Sequence, residues 1–161
     1  MEILWGYAVA AGIIGTALMT LAIYAGKLMG LASDMVRMLG LAFVNEDKPR
    51  RVYGVGLVVH FSIGALFGIM YAILLTAMGA VLMVGTAAAW GAIFGALHGV
   101  TVGGVLGALP AVHPRMGSGQ VIEAPGFFGR NIGVGMPVAL IILHIIYGVT
   151  AAVVYSVGVL S

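Results

Sequence analysis

Apolar residues fill this chain in long blocks, and charged side chains are confined to the intervals between some of them. Between Arg51 and Arg115 there are 63 residues without Asp, Glu, Lys or Arg. A helix needs only about 20 apolar residues to cross roughly 30 Å of hydrocarbon, so this block predicts two crossings with a tight turn in "MGAVLMVG", residues 78–85. One further block precedes it and one follows, which predicts four spans at about 3–29, 52–78, 84–110 and 136–160. The blocks are continuously apolar and do not alternate, so the spans are helices and not barrel strands. The predicted fold is an all-α integral membrane protein, a single domain over 1–161 built as a four-transmembrane-helix bundle.

The first interval, "KLMGLASDMVRMLGLAFVNEDKPRR", places Ser33 or Asp34 where a helix cap is needed. Met35, Met38, Leu39 and Leu41 to Val44 would form one apolar side, so we expect a short interfacial helix over about 33–44. The alternative is an extension of the first span broken at Gly30. The second interval, about 111–135, is rich in proline and glycine and predicts an irregular loop. Asp34, His113, Arg115, Glu123 and Arg130 are the polar residues of these intervals that could cluster, against the plainer reading of solvated connecting loops.

Composition agrees with the pattern. The chain of 161 residues is 62% hydrophobic and only 7% charged, with mean hydropathy +1.18, where a soluble domain carries roughly 25% charge. All seven basic residues, Lys27, Arg37, Lys48, Arg50, Arg51, Arg115 and Arg130, fall in the two intervals. The positive-inside rule makes those intervals cytoplasmic and puts both termini and the central turn outside. The basic balance therefore points to lipid headgroups and to no nucleic acid. Trp5, Trp90, Tyr71 and Tyr155 fall near predicted outer ends, and Tyr53, Phe127 and Phe128 near inner ones, as aromatic belts would require. The N-terminal run lacks the basic segment of a secretory signal and reads as a retained span. Absence of cysteine excludes disulfides, thiolate metal sites and cysteine catalysis.

Two features repeat inside the spans. Small residues recur every four positions, as at Gly91, Gly95, Gly99, Gly103 and Gly107, at Gly64 and Gly68, and at Gly148, which marks faces where helices pack closely. "HFSIGALFGIMY" at 60–71 and "HIIYGVTAAVVY" at 144–155 share a frame of His, Gly and Tyr. Spans two and four run in the same direction, so the frame predicts two tandem helical hairpins related along the membrane normal. At 1.5 Å per residue, His60, His98 and His144 all fall near mid-depth, on or beside the small-residue faces.

Ionisable residues inside a membrane are functional candidates. A neutral imidazole offers one donor and one lone pair, which suits three roles: a hydrogen bond across a helix contact, ligation of haem or a divalent metal by His60, His98 and His144, or a relay along a path for protons, metal ions or small solutes. No nucleophile elbow, phosphate loop or intramembrane carboxylate pair is present, so an enzyme is not expected. The leading expectation is a non-enzymatic membrane subunit of a homo-oligomer or a larger, electron-transfer-type complex in the lipid bilayer, with the histidines for packing or cofactor contact. The competing one is a small transporter or channel.

The segments "GTALMTLAIYAGKLMG", "SDMVRMLG", "HFSIGALFGIMYAIL" and "HIIYGVTAAVVY" give the chain a resemblance to small four-span bacterial and archaeal membrane proteins catalogued as a domain of unknown function. That resemblance implies a prokaryotic origin and an inner-membrane address. It carries no activity across.

Overall fold

The computed structural model describes residues 2–30, 33–116 and 121–161; positions 117–120 of the predicted loop lie outside them. The described residues form helices and no strands. The helices are α1 (Trp5–Leu28), α2 (Met35–Leu41), α3 (Pro49–Ala77), α4 (Val84–Ala108) and α5 (Met136–Leu160). Four of them are long and apolar enough to cross a bilayer, so this is a multi-pass membrane protein. Large apolar side chains such as Leu21, Val58, Leu66 and Leu97 face outward, as a lipid solvent allows.

Local chemistry sets the helix ends. Gly30 follows α1 with φ +95°, a left-handed turn that costs glycine nothing. Asp34 caps α2 by accepting from the Arg37 N–H at 3.1 Å. Pro49 opens α3, where its missing N–H is no loss, and Gly79, with φ +66°, turns the chain from α3 toward α4 through a 3-10 turn at Ala80–Leu82. The helix expected over 33–44 is shorter, stopping at Leu41. The Arg115 guanidinium takes the Leu41 carbonyl, which satisfies a helix-end acceptor that further turns would otherwise use.

The long helices stand in the order α3, α1, α5, α4, with the row folded so that α3 and α4 approach without closing. Glycine makes the tight seams. A Cβ at Gly68 would strike the backbone of Gly12 and Ala8, and one at Gly12 would strike Gly64. Between α4 and α5, a Cβ at Gly95 would strike the backbone of His144 and Ile145, and one at Gly148 that of Gly91. Such contacts supply the van der Waals attraction that replaces the hydrophobic effect between helices in lipid. The predicted tandem hairpins thus exist as α1 with α3 and α4 with α5. A true twofold would make the α1–α5 and α3–α4 seams alike, yet α1 and α5 pack extensively while α3 and α4 hardly touch.

The end that carries both termini is sealed. The Tyr155 hydroxyl lies 3.3 Å from the Leu4 N–H and 3.2 Å from the Thr76 hydroxyl, and Ser156 donates to the Val81 carbonyl at 2.7 Å. Two residues expected in an aromatic belt are therefore elsewhere. Tyr71 and Tyr155 are each 1% exposed, Tyr71 packed among the rings of Phe94, His98 and Tyr147 and Tyr155 drawn inward by its hydrogen bonds. Trp5 and Phe127 do face outward.

Candidate functional site

The three mid-depth histidines lie at the place where the bundle fails to close. His60 comes from α3, His98 from α4 and His144 from α5, and all three line one cavity of about 230 Å³ between α3 and α4. Bulky rings prop the two helices apart. Phe67 stacks on His98 with ring centroids 3.8 Å apart, and Tyr71 packs edge-on against Phe94 at 5.8 Å. Glycine against backbone makes the α1–α3 and α4–α5 seams, glycine against the Tyr7 and Tyr147 rings makes the α1–α5 seam, and rings from both sides meet across the open one.

His98 and His144 meet edge to face, with centroids 4.6 Å apart. The His144 Nδ1 lies 2.7 Å from the Leu140 carbonyl, so in the neutral ring Nδ1 carries the proton and Nε2 the lone pair. Tyr147, one turn further along α5, donates to the Gly64 carbonyl at 2.6 Å and so ties α5 to α3 beneath α1. Thr16 on α1 lines the cavity too, but its hydroxyl already donates to Gly12 of its own helix at 2.7 Å. His60 Nε2, His98 Nδ1 and the Tyr71 hydroxyl have no hydrogen-bond partner among the described residues. An unpaired buried polar atom costs about 1–3 kcal/mol, and two of these three atoms belong to side chains that line the cavity, His60 and His98.

The ligation expected of these histidines does not fit. No group of three His, Asp or Glu side chains among the described residues is placed to hold a metal ion; His98 and His144 meet, whereas His60 only shares their cavity wall. Nor do the two that meet leave room for haem. With metal–nitrogen bonds of about 2.0 Å, imidazoles on opposite sides of an iron would stand with centroids roughly 6 Å apart, and His98 and His144 are at 4.6 Å in an edge contact.

The remaining predicted residues separate into distinct places. Gly64, Gly68, Gly91, Gly95, Gly99 and Gly148 sit in helix–helix seams, but Gly103 and Gly107 are covered by the rings of Phe128 and Phe127 from the second loop. The loop acts there as a substitute helix. The five loop polar residues do not form one cluster. Asp34 accepts from Lys27 at 2.8 Å and from the Tyr53 hydroxyl at 2.7 Å. Burial alone would raise its carboxyl, but the bonds from Lys27, Tyr53 and the Arg37 N–H outweigh it and hold the group below the usual carboxylate value. His113 is a separate device: its Nε2 lies 3.0 Å from the Met38 carbonyl while its Nδ1 accepts from the Arg115 N–H at 3.2 Å. Arg115 adds bonds to Leu41 and Asn45, so the loop clasps α2. Glu123 and Arg130 are exposed.

A second cavity of about 220 Å³ lies on the loop side, with Asp34, Arg37 and Glu123 in its wall. Met35, Met38, Val102 and Leu106 line both cavities and form the partition between them. Phe67, Tyr147 and Met38 are site residues that reading the histidines alone missed. Two carried a sequence signal, since Phe67 lies two turns beyond His60 and Tyr147 one turn beyond His144 on the same faces. No family model, curated protein or solved structure matches this chain.

Proposed function

We propose that this is a non-enzymatic integral membrane protein that takes an apolar small molecule into the cleft between α3 and α4. The single observation that carries this reading is the unequal closure of the bundle: three seams packed tightly, and a fourth propped open over a 230 Å³ cavity with histidines in its wall. Most of that wall is aliphatic or aromatic, as in small-molecule sites generally, with few polar groups to orient the occupant. The sealed end favours binding over conduction. Tyr71, Leu75, Val81 and Tyr155 are at most 1% exposed, so among the described residues the bundle is filled beyond the histidines. In this reading the loop end faces the cytoplasm, since it carries every basic residue, and the prokaryotic address rests on the family resemblance described above.

The test uses decylbenzene as an apolar probe with the full chain in detergent micelles. A ligand at a hundredfold excess over its Kd stabilises its target by about 2.7 kcal/mol, so the unfolding temperature of the wild type should rise. Val102→Phe, which fills the cavity, should lose that rise. Equal shifts in both proteins would reject the reading.

A further inference from the structure

We infer that the occupant of this cavity is a neutral, single-tailed molecule with an oxygen on its head, a carbonyl or a hydroxyl, held by the histidines of its wall while its tail leaves between α3 and α4. This rests on the binding reading above and names the class of ligand. Neutrality follows from the wall. Among the described residues no Asp, Glu, Lys or Arg lines the cavity, and Asp34 and Arg37 lie in the neighbouring one behind Met35 and Met38. A charged head would lose its hydration there without gaining a partner.

The position of the head follows from which polar groups remain free. Around the cavity, the Thr16 hydroxyl, the Tyr147 hydroxyl and the His144 Nδ1 are each engaged with a backbone carbonyl. His60, His98 and His144 each bring to the cavity wall a ring nitrogen for which no hydrogen bond is found among the described residues. His60 is only 7% exposed, so bulk solvent does not satisfy it. A neutral imidazole presents an N–H to a carbonyl and either an N–H or a lone pair to a hydroxyl, so both head types are served by the same histidines.

The tail follows from size and rim. A cavity of 230 Å³ is below the roughly 300–1,000 Å³ of pockets that enclose a whole ligand. It admits a head and the start of a chain, and the rest must lie outside. Ile63 on α3 and Val105 on α4 line the cavity and are also 40% and 54% exposed, which makes the rim an apolar exit toward lipid.

Three probes with equal tails separate the possibilities: decyl-1,4-benzoquinone, which only accepts hydrogen bonds, decanol, which donates and accepts, and decylbenzene, which does neither. Affinities are read from unfolding-temperature titrations of the full chain in micelles. At least one oxygen-headed probe should bind the wild type about tenfold or more tighter than decylbenzene, and the better of the two identifies the head as carbonyl or hydroxyl. His60→Leu and His98→Leu should remove most of that advantage and leave decylbenzene within about twofold. His60→Gln, which keeps a hydrogen-bonding end, should retain part of it and guards against a folding artefact. Equal affinity for all three probes, lost in Val102→Phe, would overturn the head-group assignment while leaving the cavity reading intact. Binding of none of them to the wild type, or equal binding to Val102→Phe, would overturn both.

Discussion

Gly95→Ala and Gly104→Ala are the same chemical change on one helix, three and six residues from His98, and should move stability in opposite directions. In α4 a Cβ at Gly104 meets nothing within 4 Å. Alanine there gains the helix preference over glycine, about 0.5–1 kcal/mol. At Gly95 the added carbon would stand 2.5 Å from the His144 carbonyl oxygen and 2.7 Å from the Ile145 Cα, where ordinary contact begins at 3.4 Å, so α4 and α5 must part by about 0.9 Å. Backbone atoms cannot rotate aside as a side chain would. A gap of about 0.5–1 Å forfeits a quarter to a half of the dispersion well, and dispersion is the principal force in this seam. Overpacking of this kind costs about 1–3 kcal/mol, so after the propensity gain of about 0.5–1 kcal/mol Gly95→Ala should be destabilised by up to about 2.5 kcal/mol net. Reversible unfolding in mixed micelles, followed by circular dichroism, measures both variants against wild type. If Gly95→Ala proves as stable as Gly104→Ala, the seam is not held by close backbone approach and the explanation of the fold given above fails.

Asp34→Asn removes the ion pair and weakens the α2 cap; both partners are about a quarter to a third exposed, so screening limits the effect and the loss should be on the order of 0.5–2 kcal/mol, read as faster amide exchange across Met35–Leu41. Because the folded Asp34 carboxyl sits below its ordinary 3.8, its contribution is fully present above that pH and is lost as the pH falls through the lower folded value; α2 protection factors, with the intrinsic pH dependence of exchange divided out, should fall only in that acid range, and a fall near neutral pH would contradict the assignment. Arg115→Lys should release the loop from α2 nearly as fully as Arg115→Ala, since an ammonium cannot span Leu41 and Asn45 as the planar guanidinium does; limited proteolysis between α4 and α5 would report it. Phe67→Ala should collapse or widen the α3–α4 cleft and cost about 2–4 kcal/mol, and a spin-label distance between α3 and α4 that stays unchanged would show that Phe67 is not the prop.

The four spans were legible because a bilayer imposes a hard rule: about 20 apolar residues per crossing, with every backbone group satisfied inside the helix. The common depth of His60, His98 and His144 followed from helical rise, and the close-packing faces from the spacing of Gly64, Gly68, Gly91, Gly95 and Gly148. A stripe states that something approaches closely and does not name it. Gly103 and Gly107 continue the same stripe as Gly95, yet their partners are Phe128 and Phe127 of a loop, held where Phe128 itself adopts φ 55°. The repeated His, Gly and Tyr frame likewise implied equivalent roles, whereas Tyr155 is hydrogen-bonded to Leu4 and Thr76 and Tyr71 has no partner for its hydroxyl among the described residues. Sequence determined which stretches are long and apolar enough to cross a membrane and which faces are smooth. Only the tertiary structure decided which seams close, because that choice depends on ring volumes meeting from different helices: Phe67 against His98 and Tyr71 against Phe94 keep one seam open, and the open seam makes the site.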